Sequence, residues 1–319
     1  MAVISLEYVN PILNITLRNK KFTKFFWGVK LKKNAKNLVF PQLAKWVVDR
    51  AKKSDRPLVR DSAIGVKYGL SLLEKLPDEY RWIYSSTQTF KNKIDGLNLT
   101  AIPMPIDYNR IIWNDYACSW EAYAIMTYWR GIELIIPSIR SLNLRELIAP
   151  AVLSRSLLEL SATFLHNANT FQTFVEELPD SKYMHISPVC STELELLTNK
   201  AIWGSRLVEK NDPLMAKNAM TTLQNLSKNP NAVDLYPVYE YLCEVAHPNM
   251  MGNARFWSHV ASVDEHGFEK RVISRNADAD HVQELVENTL WALAWGSAVI
   301  HNAFLITQMS IHKIKDKLK

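Results

Sequence analysis

The sequence predicts an all-α protein, a multi-helix bundle with one small β-hairpin near residues 256-274, on three observations. Only 9 of its 319 residues are glycine, so positions that favour turns are scarce. Hydrophobic residues make up 48% of the chain and come in long stretches with short connections, which suits helices better than a many-stranded sheet. Alternation of apolar and polar residues appears at Phe256 to Ser274, around Asp264-Glu265-His266-Gly267, and reads as a hairpin.

Taken in order, residues 1-36 form a basic aromatic N-terminal arm. Eight basic residues stand there against the single acid Glu7, a local charge of +7 that leaves the rest of the chain at −1 out of the net +6. Attraction to phosphate or to an anionic surface therefore belongs to this arm, through Lys20, Lys21, Lys24, Lys30, Lys32 and Lys33. Phe22, Phe25, Phe26 and Trp27 lie between the lysines, where they could stack on RNA bases, enter a membrane interface or dock on the core. Residues 37-107 read as an N-terminal helical subdomain with helices near 41-53 and 58-75 and a third starting at Asp78 behind Pro77. A loop at 94-107, with Gly96, Pro103 and Pro105, separates it from a main bundle over 108-319.

The main bundle opens with a long apolar helix, Ile111 to Ser141, whose Trp113, Tyr116, Trp120, Tyr123, Tyr128 and Trp129 read as core at helical spacing. Asn143 with Glu146 resembles a capping box for the helix that follows, 151-174, with Pro150 placed to kink it. Asp212-Pro213 has the form of a helix start, and a further helix spans 234-246. Asp280 and Gln283 offer a capping pair for a last helix over 279-316. Its segment Trp291 to Ser310 is long enough to cross a membrane, but His301, Asn302 and Gln308 make a buried core helix the better reading. Cys118, Cys190 and Cys243 have no C-x-x-C spacing, and no secretory signal pattern opens the sequence, so a reducing cytoplasmic setting is expected.

Two polar stripes stand out. Arg155, Glu159, Thr163 and His166 recur at steps of four, four and three along one apolar helix, and charges framed in this way need partners. Glu240, Cys243, Glu244 and His247 share a face of another. Pro248 disfavours helical geometry at His247, so that residue should close its helix, where the dipole and Glu244 would favour the protonated imidazole. A histidine so placed serves as acid, base or anion-binding group, or equally as a cap and hydrogen-bond node expected to meet the Arg155/Glu159 stripe. Cys243 stands within a helical turn of His247, as a nucleophile beside its base would. The Glu-x-x-His pattern of di-iron bundles occurs once, as Glu244-Val-Ala-His247, so neither a metal nor another cofactor is expected.

Arg155 with Glu159 on one helix, the later run Tyr241-Leu-Cys-Glu-Val-Ala-His247-Pro248-Asn249 and the hairpin after it together resemble a bacterial family of helical proteins of unknown function, commonly grouped with HEPN-like bundles. The likeness covers roughly residues 110-310. It implies a metal-independent ribonuclease of toxin or phage-defence type, in which an arginine and a histidine a few residues further on act on the scissile phosphate. His247 has no such arginine upstream, whereas Arg275 and His281 match the spacing formally. The expected catalytic set is therefore His247, Glu244, Arg155 and Glu159, with Arg275 and His281 as the alternative pair, and RNA as the partner. The competing reading is a non-enzymatic binding or scaffold protein in which the same residues form a buried structural network and the partner is a protein. Peripheral membrane contact through residues 18-36 is a third.

Overall fold

A computed structural model describes residues 41-73, 76, 78-82, 92, 96, 106-177, 188-209, 212-216, 218-248, 250-275 and 279-318. Among them are ten α-helices and one antiparallel hairpin, an all-α bundle with a small β element. The helices are α1 (Lys45–Ala51), α2 (Pro57–Arg60), α3 (Ser62–Leu70), α4 (Ile106–Asn143), α5 (Ile148–Glu176), α6 (Pro188–Trp203), α7 (Ala219–Ser227), α8 (Leu235–Ala246), α9 (Met250–Trp257) and α10 (Ala279–Lys317). The hairpin strands are β1 (Ser258–Val263) and β2 (Glu269–Ile273), joined by a turn in which Gly267 takes φ +83°. The described residues divide into two compact units, those within 1–75, 131–162 and 219–299 and those within 76–130, 163–218 and 300–319.

In the first unit α3 lies directly on α10. A Cβ at Gly65 would come within 3.1–3.2 Å of Ala294, and one at Gly69 would meet the backbone of Ser297. Bare glycines let the two helices approach this closely. Arg56 adds an ion pair to Glu287 at 3.3 Å and a bond to Asn288 at 3.1 Å. Gln283 donates to the Arg50 carbonyl and to Glu287, so its amide ties α10 to α1 instead of capping α10. Asn143 likewise does not start a helix. It ends α4, accepting from the Ala44 N–H and donating to the Gln42 carbonyl, each at 2.7 Å. Arg145 then turns into the left-handed region at φ 64°, and its guanidinium covers the Trp46 ring at 5.4 Å. Pro150 sits in the first turn of α5, where a missing N–H leaves no bond unmade, so it does not interrupt the helix.

The second unit contains the aromatic stripe of α4, in which Trp113, Trp120, Tyr123 and Tyr128 are buried core while Tyr116 and Trp129 are half-buried. Trp120 stacks on Phe171 with ring centroids 4.2 Å apart and planes 7° from parallel, while its indole N–H donates to Thr198 Oγ1 at 3.0 Å. Tyr123 meets Phe164 edge-on at 5.5 Å, and its hydroxyl accepts from the Asn167 amide at 2.9 Å. Burial pushes the Tyr123 phenol up to about 12, against the opposing hydrogen bonds from Asn167 and Thr127. The raised value belongs to the folded state, so the unfolded chain releases this proton first. Its contribution is complete below the unfolded value of 10.0 and is lost as the pH rises from there to about 12. Stability measured between these limits should fall less steeply with pH in Tyr123→Phe than in the wild type.

Three further expectations change. The segment predicted as one helix at 58-75 breaks at Asp61 into α2 and α3. Asp78 to Trp82 is not helical, and most of the predicted 94-107 loop lies outside the described residues. Asp212-Pro213 does not open a helix: the Asp212 carboxylate accepts from the Leu214 N–H at 2.6 Å in a local turn, and Met215 forms an isolated bridge to Ser205. An aspartate that bonds its own backbone two residues on satisfies its acceptor without a helix. Both α5 and α10 are long and apolar enough to cross a membrane by length and composition. In α10, 83% of the apolar window is buried, as in a core helix.

Candidate functional site

Helix α8 ends where the sequence predicts. His247 takes extended geometry (φ −78°, ψ 132°) ahead of Pro248, and its N–H closes the last turn on the Cys243 carbonyl at 3.0 Å. The buried stripe of α8 is Leu235, Val238, Tyr239, Leu242 and Val245. That stripe decides the rest of the geometry, because Glu240, Glu244 and His247 then fall on the solvent side and all three are exposed. They do share a face, as their spacing predicts. It is not a buried face.

Arg155 and Glu159 come together as an i,i+4 ion pair, Nη2 to Oε1 at 3.2 Å, each side chain about one-third exposed at 31% and 32%. Their partner on α8 is Tyr239, not His247. The Tyr239 hydroxyl donates to the same Glu159 Oε1 at 2.8 Å, and the Arg155 guanidinium lies over the Tyr239 ring at 5.8 Å. The cluster thus combines a shared carboxylate oxygen with a cation over an aromatic face. Sequence reading passed over Tyr239, although it is the one hydroxyl-bearing member of the α8 apolar stripe and needs an acceptor once buried.

Electrostatics follow from this packing. Burial raises the Tyr239 phenol well above its ordinary value, and its hydrogen bond to Glu159 raises it further. Burial also pushes the Cys243 thiol up, although the hydrogen bond with Tyr239 and the Arg155 charge pull the other way. A thiol held protonated is a poor nucleophile, so the Cys243 chemistry has no support here. Cys118 and Cys243 are both free.

Of the remaining candidates, Thr163 and His166 are half-buried on the part of α5 that belongs to the second unit. Arg275 is exposed just after β2, and His281 is half-buried in the first turn of α10. Residues 276-278 between them lie outside the described residues, as do Lys20, Lys21, Lys24, Lys30, Lys32 and Lys33. Among the described residues no group of three or more His, Cys, Asp or Glu could hold a metal ion.

Fold and cluster together define an all-α helical protein with a self-paired Arg–Glu–Tyr site between α5 and α8. No family model, curated protein or solved structure matches the chain.

Proposed function

We propose that the protein is a non-enzymatic binding or scaffold protein of the cytoplasm, acting through a protein partner, in which the Arg155–Glu159–Tyr239 cluster is a structural device. One observation carries this reading: Arg155 and Tyr239 both converge on a single Glu159 oxygen. The cation is neutralised by its own carboxylate and the phenol is committed to the same acceptor. No net charge is left to hold a phosphodiester. The exposed His247 and Glu244 are not among the groups that meet at the Glu159 oxygen. The free thiols of Cys118 and Cys243 suit a reducing compartment.

Stability measurements on three variants test the reading. Glu159→Ala leaves a partly buried guanidinium and a buried hydroxyl without their acceptor and is expected to cost about 1 to 2 kcal/mol, the lower range for a bond to a charged group because the pair is partly exposed. Tyr239→Phe should cost about 1 kcal/mol. His247→Ala should stay within roughly 0.5 kcal/mol of the wild type, as exposed positions do. The same proteins are then incubated with RNA in EDTA. Metal-independent cleavage that disappears in His247→Ala or His281→Ala, with unchanged melting, would replace this reading with the HEPN-like ribonuclease.

A further inference from the structure

The hairpin is the most exposed regular element among the described residues. Every residue of its two strands except Ser258 is exposed, including Val263 at 59% and Ile273 at 80%, and Phe268 in the connecting turn reaches 71%. Two strands alone are marginally stable in water, and an open edge presents unpaired N–H and C=O groups on which a further strand can pair. Among the described residues no third strand joins the sheet.

We propose that the outer edge of β2 is a self-pairing edge, through which two copies of this chain join their hairpins into one four-stranded antiparallel sheet. This is independent of the role assigned to the Arg155 cluster. Backbone direction comes first. The Phe268 carbonyl accepts from the Asp264 N–H at 3.0 Å, and the Ser274 N–H donates to Trp257 at 2.8 Å, so both residues turn their peptide groups inward toward β1 and its flank. Alternation then leaves Glu269, Arg271 and Ile273 presenting N–H and C=O at the outer edge.

Charge selects the occupant and the register. Glu269 and Arg271 lie on one face of β2, opposite Val263 and Val260 of β1, and they already form an ion pair along the strand. A two-fold axis through Lys270 places Glu269 of each copy opposite Arg271 of the other, twice over, and sets Phe268 against Val272. Moving the axis by one residue in either direction sets Glu269 against itself or Arg271 against itself. Each of the three registers opposes one like-charged residue to itself, but only the Lys270 register also gains two Glu269–Arg271 pairs across the seam, so a second copy fits there better than in either neighbouring one. Lys270 meets its counterpart on the other face, where both side chains are exposed to solvent.

Light scattering and sedimentation of the full chain, from low micromolar to a few hundred micromolar, test this with charge exchange. The wild type is expected to form dimers as concentration rises. Glu269→Arg alone and Arg271→Glu alone should each weaken dimerisation by about tenfold or more. The double variant Glu269→Arg/Arg271→Glu should restore it, and the two single variants mixed together should associate with each other more tightly than either does with itself. Both sites of change are on an exposed hairpin, and helical circular dichroism checks that each variant folds. A chain that stays monomeric at every concentration would overturn the proposal. So would a dimer indifferent to single reversals, or one that the double variant fails to restore.

Discussion

Gly69→Ala is expected to destabilise the protein by about 3 kcal/mol or more, the upper end of what overpacking costs. The added methyl would lie 2.6 Å from the Ser297 carbonyl oxygen and 2.7 Å from its carbonyl carbon, far inside van der Waals contact with main chain. A side chain could rotate away, but the backbone of α10 moves only if the helix moves. Replacing glycine by alanine within a helix ordinarily gains up to about 1 kcal/mol, and less near a helix end such as this one, so the clash dominates. Two controls sharpen the test. Gly65→Ala meets Ala294 at 3.1–3.2 Å and should cost distinctly less. Gly267→Ala has nothing within 4 Å of the new Cβ and pays only for its φ of +83°, roughly 1 to 2 kcal/mol. Urea midpoints at constant slope should rank the three variants in this order. A Gly69→Ala protein as stable as the wild type would mean that α3 does not press against α10.

What could be read from the chain depended on whether the deciding interaction is local. The end of α8 follows from Pro248 acting on its neighbour, the hairpin from an alternating pattern around Gly267, and the Arg155–Glu159 pair from helical spacing alone. Capping signals were less secure because the same side chain can serve other backbone groups. Asn143 bonds the chain entering α1, nearly a hundred residues earlier in sequence, and Asp212 bonds within its own turn. The error over His247 has a different cause. Spacing shows which residues share a face, but the side of α8 that meets α5 is set by its most apolar stripe, Leu235 through Val245. Weighing that stripe against the polar one turns His247 outward and brings Tyr239 to Glu159.

The aromatic segment of the second unit supports the other large effect. Trp120→Ala should cost about 3 to 5 kcal/mol, the usual range for deleting a buried tryptophan. The side chain is 1% exposed, lies parallel to Phe171 at 4.2 Å and touches Tyr123 edge-on at 5.5 Å. Its removal opens a cavity among α4, α5 and α6 and forfeits two ring contacts, each worth about 0.5 to 1.5 kcal/mol beyond area. The polar end of the ring separates out cleanly. Thr198 Oγ1 accepts the indole N–H at 3.0 Å while donating to the Leu194 carbonyl at 2.8 Å, so Thr198→Val removes the acceptor and leaves a buried N–H unmet. That variant should lose about 1 to 3 kcal/mol. Trp120→Phe keeps the stack, loses the donor along with its need for an acceptor, and should fall between wild type and Trp120→Ala. In the Trp120→Phe background Thr198→Val should then cost little, because the donor it would orphan is gone. A full cost for Thr198→Val in both backgrounds would show that the indole bond contributes nothing, and that the loss comes from the Leu194 contact alone.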